Sequence, residues 1–420
     1  MKPPNTNAET SESSPASQEP APSNLREMMR RMSQGDIGSL PVILGLFLIA
    51  IIFQIANSNF LTPLNLANLM VQISAVGTIS VGVVLVLLLG EIDLSVGTVS
   101  GFAAGVMAVL SVKFGLPGLV AIGAGVLTGA AIGLLQGWWT AKLKVPSFVV
   151  TLAGFLAWQG ALLYILGSTG TINLTDPLII GIANTNLPVW LGWTLGILFV
   201  SVYAFNNLRE QRKREQAGLE VQPVSVAILR IVLVAVAILV TIGLMSINRN
   251  PRQGGVPIQG MPSAVLFFIG FIVLMDFVTR RTKFGRYIYS TGGNAEAARR
   301  AGINVDWIRI TVFVLGSTLA ACGGILAGSR LYAVNQSSGS GDILLNAIAA
   351  AVIGGTSLFG GRGSTWSALL GALVIGSIAN GMNLLALASS IRFIVTGVVL
   401  LLAVTLDAYT RSRRSESGQS

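Results

Sequence analysis

Long stretches without a charged side chain constrain this sequence more than any other feature. Val42 to Ile55, Val81 to Leu89, Val265 to Met275 and Phe393 to Leu406 contain no Asp, Glu, Lys or Arg. A helix that crosses a bilayer needs about 20 mainly apolar residues, and these blocks are the cores of segments of that size. A soluble domain carries about 25% charged residues, whereas this chain carries 10% with 52% hydrophobic. One soluble core has no use for so many apolar blocks. In lipid the backbone must satisfy its own hydrogen bonds, so helices are expected. The fold class is therefore all-α, a polytopic membrane protein of about 12 transmembrane helices.

Candidate spans run near 39–57, 65–89, 94–112, 117–140, 147–167, 190–206, 224–247, 263–279, 307–329, 343–359, 366–387 and 391–409. Residues 1–38 read as a cytoplasmic tail. Within it Leu25, Met28, Met29 and Met32 share one face of an amphipathic helix over Asn24 to Gln34, opposite Arg26, Arg30 and Arg31. A first transmembrane half spans 39–170. An outside loop and an inserted helix pair with its cytoplasmic loop span 171–262. A second half spans 263–410, and 411–420 is a cytoplasmic tail. The net charge of +10 is explained by anionic headgroups and the positive-inside rule before any nucleic acid is invoked. With the N-terminus inside, almost every Lys/Arg cluster falls on the cytoplasmic side, as do both termini. Lys113, Arg249 and Arg252 are the exceptions. Trp138, Trp139, Trp190, Trp193, Trp307 and Trp366 lie near span ends, as an aromatic belt requires, and Trp158 sits mid-span.

Several chemistries are excluded. The chain has no His, which removes His-based acid–base catalysis, His metal sites and a His proton relay. Its one Cys, Cys322, cannot form an internal disulfide. No G-x-x-x-x-G-K-[ST] loop is present, so any ATP is bound by another chain and this one needs no cofactor of its own.

Asn65 to Val112 is too long for one span and must break at Gly90-Glu91-Ile92-Asp93-Leu94-Ser95-Val96-Gly97. Gly90 suits a helix C-terminus, and Asp93 or Ser95 suits the next N-cap. Intramembrane acids normally line a cavity or pair inside a bundle, so Glu91 and Asp93 are candidates for a pathway or gate. Capping explains them equally well. A second break, at Ser337 to Asp342 with Asn346 following, ends at Gly354-Gly355-Thr356 and Gly360 to Gly363. Two five-helix halves in opposite orientation, each with a broken helix, form an inverted repeat typical of transporters. Asp342, Asn346, Thr356, Asn380 and Asn383 join the pathway candidates, with helix–helix hydrogen bonding the stronger reading for the two last. Trp158 and Gln159 could meet a solute by stacking and a polar contact, though packing is the simpler role for the indole.

Between spans 8 and 9 lies Thr291-Gly292-Gly293-Asn294-Ala295-Glu296-Ala297-Ala298-Arg299-Arg300-Ala301-Gly302. Asn294 can cap a helix of about two turns, Glu296 and the arginines suit its dipole, and Gly302 can end it. Ala297, Ala298 and Ala301 give it a narrow face that fits another protein's groove. Glu296-Ala297-Ala298 followed by Gly302 resembles the E-A-A-x-x-x-G loop of ABC importer permeases. The Asp93-Leu94-Ser95-Val96-Gly97 motif, Ala347 to Gly355 and Asn380-Gly381 resemble the ribose/xylose-type monosaccharide branch, and the inserted pair looks most like its longer xylose-type members. The resemblance implies that 294–302 is a coupling helix seated on a cytoplasmic ABC ATPase. It further implies a homodimeric permease in the bacterial inner membrane, fed by a periplasmic or lipid-anchored sugar-binding protein. Two other functions are compatible with parts of the sequence. One is an ion-coupled secondary transporter using Glu91 and Asp93. The other is an intramembrane enzyme, for which no catalytic motif stands out.

Overall fold

The computed structural model describes residues 40–218, 224–250, 252 and 254–416, so the amphipathic segment over 24–34 and the rest of the N-terminal tail lie outside the described residues. Helices dominate. The first half comprises α1 (Leu40–Ala56), α2 (Pro63–Leu88), α3 (Val96–Ala108, continuing as a π turn over Val109–Lys113), α4 (Gly118–Lys142) and α5 (Ser147–Leu166). A short surface helix, α6 (Pro177–Asn184), precedes the inserted pair α7 (Val189–Gln216) and α8 (Val224–Ser246). There follow α9 (Ser263–Arg281), α10 (Lys283–Gly293), α11 (Ala295–Arg300), α12 (Val305–Leu331), α13 (Gly341–Ile353), α14 (Trp366–Leu384) and α15 (Ser389–Glu416).

Among the described residues nine helices are long and apolar enough to cross a membrane, and three shorter apolar ones accompany them at Pro41–Ala56, Asp342–Ile353 and Ser389–Leu402. The span expected over 343–359 is shorter than anticipated. It stops at Ile353, because Gly354 packs its backbone on Ser367 and Gly355 takes φ +103°. The span expected to end near 206 instead continues to Gln216. Its charged last turns are good helix formers, with Arg214 paired to Glu210 at 3.0 Å.

Burial grades the helices from centre to rim. In α2, 83% of the apolar window is buried, against 11% in α7 and in α8, so α2 lies at the centre and the inserted pair is largely exposed at the rim. The α4–α12 seam shows how the centre closes. Gly129, Gly133 and Gly137 repeat every fourth residue, and a Cβ on any of them would press on the backbone of Ser317, Phe313 or Ile310. Lipid offers no hydrophobic drive between helices, so close backbone approach of this kind supplies the packing.

The all-α fold class agrees with the structure, to which one small element is added. Two three-residue strands, β1 (Thr171–Asn173) and β2 (Ala333–Asn335), pair antiparallel with Ile172 opposite Val334. They join the loop after α5 to the loop after α12, using backbone groups that neither helix can satisfy. Two of the cations that break the charge pattern are also accounted for. Lys113 donates to the carbonyls of Ile165 and Leu166 at the end of α5. Arg249, 6% exposed, donates to the carbonyls of Met245 and Gly260 and to Asn186 Oδ1. Cations at helix C-termini are stabilised by the terminal carbonyls.

Candidate functional site

The first break begins where expected. Leu89 caps α2 and Gly90 turns with φ +75°. The extended backbone beyond it is satisfied by the first turns of α5. Ile92 N–H donates to Ser147 Oγ (3.3 Å) and Leu94 N–H to Thr151 Oγ1 (3.0 Å). Extended backbone between two helices needs such partners for its N–H groups. Ser95 occupies the N-cap position of α3, but its hydroxyl does not cap. It donates to Asp93 Oδ1 (2.7 Å), which also accepts from the Ser95 N–H (2.8 Å). Asp93 is thus a brace across the break, not a conventional cap. Gln136 Nε2 donates to Ser95 Oγ at 2.9 Å, tying the break to α4. The second carboxylate oxygen of Asp93 is buried without a protein partner among the described residues. A cavity of about 90 Å³ lies beside Asp93, between Val83, Val86 and Leu87 of α2 and Ile348 of α13.

Glu91 points elsewhere. It pairs with Arg309 of α12 at 3.1 Å, the two side chains being 15% and 25% exposed. They border a cleft of about 310 Å³ whose rim includes Lys144, Arg299 and Asp306. Lys142 closes a second bridge to Asp306 at 3.1 Å. Sequence reasoning missed Gln136 and Arg309. The signal for Arg309 was a lone cation near the start of the mainly apolar α12, and the one for Gln136 was a single amide inside the Gly-rich α4.

The second break meets the first. Tyr332 ends α12 in the left-handed conformation (φ +56°) and Ser340 occupies the N-cap position of α13. The Ser340 hydroxyl donates to the Asp342 carboxylate. A Cβ on Gly97 would stand 2.9 Å from the Gly339 carbonyl, and one on Gly101 would overlap that of Ser338. Gly97 is therefore at a crossing of the two breaks. Asp342 is exposed, Asn346 half-buried and Thr356 buried with its hydroxyl unpartnered among the described residues.

Of the remaining pathway candidates, Asn380 and Asn383 find their partners outside this crossing, and Trp158 and Gln159 find theirs beside it. Asn380 exchanges side-chain hydrogen bonds with Asn65 of α2 (2.8 and 3.1 Å). Asn383 accepts from Arg392 (2.6 Å). Trp158 stacks on Phe102 with ring centroids 5.8 Å apart, which covers one face, and its indole nitrogen is buried without a partner among the described residues. Gln159 Nε2 donates to the Gln336 carbonyl at 3.1 Å, pinning α5 to the second break.

The predicted coupling segment forms its own helix, α11. Asn294 is extended (φ −160°, ψ 100°) and its Oδ1 accepts from Ala297 N–H at 2.9 Å. Glu296 pairs with Arg299 (3.1 Å) and Arg300 (3.2 Å) on the exposed side. Gly302 has φ +84°. One expectation changes: Ala298 is 5% exposed and packs inward, so the free face comprises Ala297 and Ala301 with the charged residues between. Just before it, Tyr289 donates its hydroxyl to the Gly363 carbonyl (3.0 Å). Burial pushes that phenol above its usual range, so it stays a donor.

A family model described as branched-chain amino acid transport system / permease component matches residues 65–404. The chain is 38% identical over 355 residues to the xylose transport system permease protein XylH of Escherichia coli K12, covering 84% of this chain and 87% of that protein. It is 37% identical over 379 residues to XylH of Haemophilus influenzae, with 89% and 98% covered. With the ribose import permease protein RbsC of Escherichia coli K12 the identity is 34% over 363 residues, covering 86% and 91%. No solved structure matches. A helical membrane fold, breaks braced by polar side chains and similarity along most of the chain agree: this protein belongs to the branched-chain amino acid transport system / permease component family, as a relative of its sugar permeases.

Proposed function

We propose that this protein is the membrane-spanning permease of an ABC importer for a monosaccharide, a xylose-like pentose first. The observation that carries this reading is the capped, two-turn helix α11, exposed between α10 and α12, in a chain that is 37–38% identical to XylH proteins. So short a helix is not stable by itself; its neighbours hold it in place, and its exposed face is free to engage a separate cytoplasmic ABC ATPase. That subunit binds the ATP. A sugar-binding protein delivers the substrate on the outer side, two copies of the permease form the pore, and lipid covers α7 and α8.

In this reading twelve helices cross the bacterial inner membrane with both termini in the cytoplasm, and the halves are inverted. Both breaks lead into helices of 13 residues, α3 and α13, which supports the repeat. Asp93, Ser95, Gly97, Asp342, Asn346 and Thr356 border or gate the path where the breaks meet. Nucleotide-driven closure of the ATPase pair moves α11, and the permease shifts between inward- and outward-facing populations. Glu91, engaged by Arg309, is not a free acid poised for ion coupling.

The test is reconstitution of the permease with its ATPase and binding protein in proteoliposomes. Xylose uptake should require ATP and survive collapse of the proton and sodium gradients. Uptake that follows an ion gradient without ATP would overturn the proposal. Removing 295–301 should abolish co-purification of the ATPase.

A further inference from the structure

Three separate stretches of backbone meet just before the coupling helix. Gly361 N–H donates to the Leu88 carbonyl at 2.9 Å, tying the loop after α13 to the last turn of α2. Gly292, in the last turn of α10, lies against both. A Cβ there would overlap the Leu88 carbonyl and stand 2.8 Å from Gly361 N. On Gly360, a Cβ would lie 2.7 Å from both Gly292 O and Gly90 N, and on Gly361 it would lie 3.1 Å from Gly293 Cα. Side chains brace the same point. Tyr289 holds Gly363, Arg280 donates to Ser364 Oγ (2.9 Å), and Ile288 is fully buried in the main core. From the far side of α11, Arg309 holds Glu91, the residue after Gly90.

The contacts are main chain on main chain. No side chain lies between that could absorb a displacement by changing rotamer, and close-packed interiors transmit strain. We propose that this glycine junction is the link through which α11 drives the first break and the loop after α13. On this proposal, which rests on the ABC-coupled reading above, Gly292, Gly360 and Gly361 are positioning residues. Motion of α11 moves the α10 terminus, and the junction passes that displacement at once to the 88–95 break and to the loop after α13. Coupling then does not depend on tilting of α9 and α12 alone.

Hydrogen exchange on the intact wild-type complex tests this without any variant. The resting complex is compared with the complex trapped by ATP and vanadate. Peptides covering 86–93, 288–301 and 356–363 should change protection together. A response in 294–302 with the other two segments unchanged would overturn this proposal alone, and no response in 294–302 would sink the ABC reading with it. A paired substitution adds a transport readout. A Cβ on Gly293 meets nothing within 4 Å, so Gly293→Ala is the control for Gly292→Ala. Gly292→Ala should lower transport per ATP hydrolysed about tenfold while Gly293→Ala stays within about twofold of wild type. Equal coupling in the two variants would refute the junction. Should Gly292→Ala fail to fold, the exchange data decide.

Discussion

Asp93 shows what a structure adds to a residue picked out by sequence. Its place in the first break makes it a candidate for a pathway or gate, with helix capping an equal reading. In the structure it accepts two hydrogen bonds from Ser95 and holds the break together. Asp93→Asn keeps an acceptor of the same shape, whereas Asp93→Ala leaves the buried Ser95 N–H unpaired at a cost of about 1–3 kcal/mol. The expectation is near-normal thermal stability for Asp93→Asn and a clear loss for Asp93→Ala, measured on purified protein by size-exclusion after heating. Equal stability would show that the brace contributes nothing. Asn380 makes a related point. Its amide faces Asn65, 315 positions away, so the helix–helix reading of that residue, not sugar contact, describes its contacts.

At the scale of elements, α11 is the most legible piece of the molecule. Its cap, its charge order and its terminal glycine are all local properties, and the structure reproduces each one. Gly302 at φ +84° makes a specific prediction. A β-branched residue there costs about 1–3 kcal/mol of backbone strain, which re-aims the end of α11. Gly302→Val should retain ATP hydrolysis in the complex while sugar uptake falls, a lower ratio of transport to hydrolysis. An unchanged ratio would count against α11 as the coupling element. The inward turn of Ala298 was not legible, because which side of a two-turn helix is covered depends on α10 and α12 and not on the helix itself.

At the scale of the whole molecule, a buried centre built on α2 and α12 carries a largely exposed pair, α7 and α8. Phe199 of α7 meets Trp366 of α14 edge-on, and a polar contact ties the loop after α8 to the segment before α7. Arg249 is the knot, bonded to Met245, Gly260 and Asn186. Arg249→Leu leaves those acceptors without their donor and should lower stability by about 1–3 kcal/mol, with sugar uptake largely retained because α7 and α8 stand outside the crossing of the breaks. Loss of uptake at unchanged stability would instead place the inserted pair in the transport path.

The amino-acid sequence alone determined that this is a helical membrane protein, where most helices start and stop, and that two Gly/Asp/Ser breaks interrupt them. These follow from hydropathy and from caps, whose physics reaches only a few residues along the chain. Tertiary structure decided which groups meet: Glu91 with Arg309, Ser95 with Gln136, Asn65 with Asn380, and Leu88 with Gly292 and Gly361. Those partners lie tens to hundreds of residues apart, and only the packing of helices with glycine-close backbones brings them within hydrogen-bonding or contact distance.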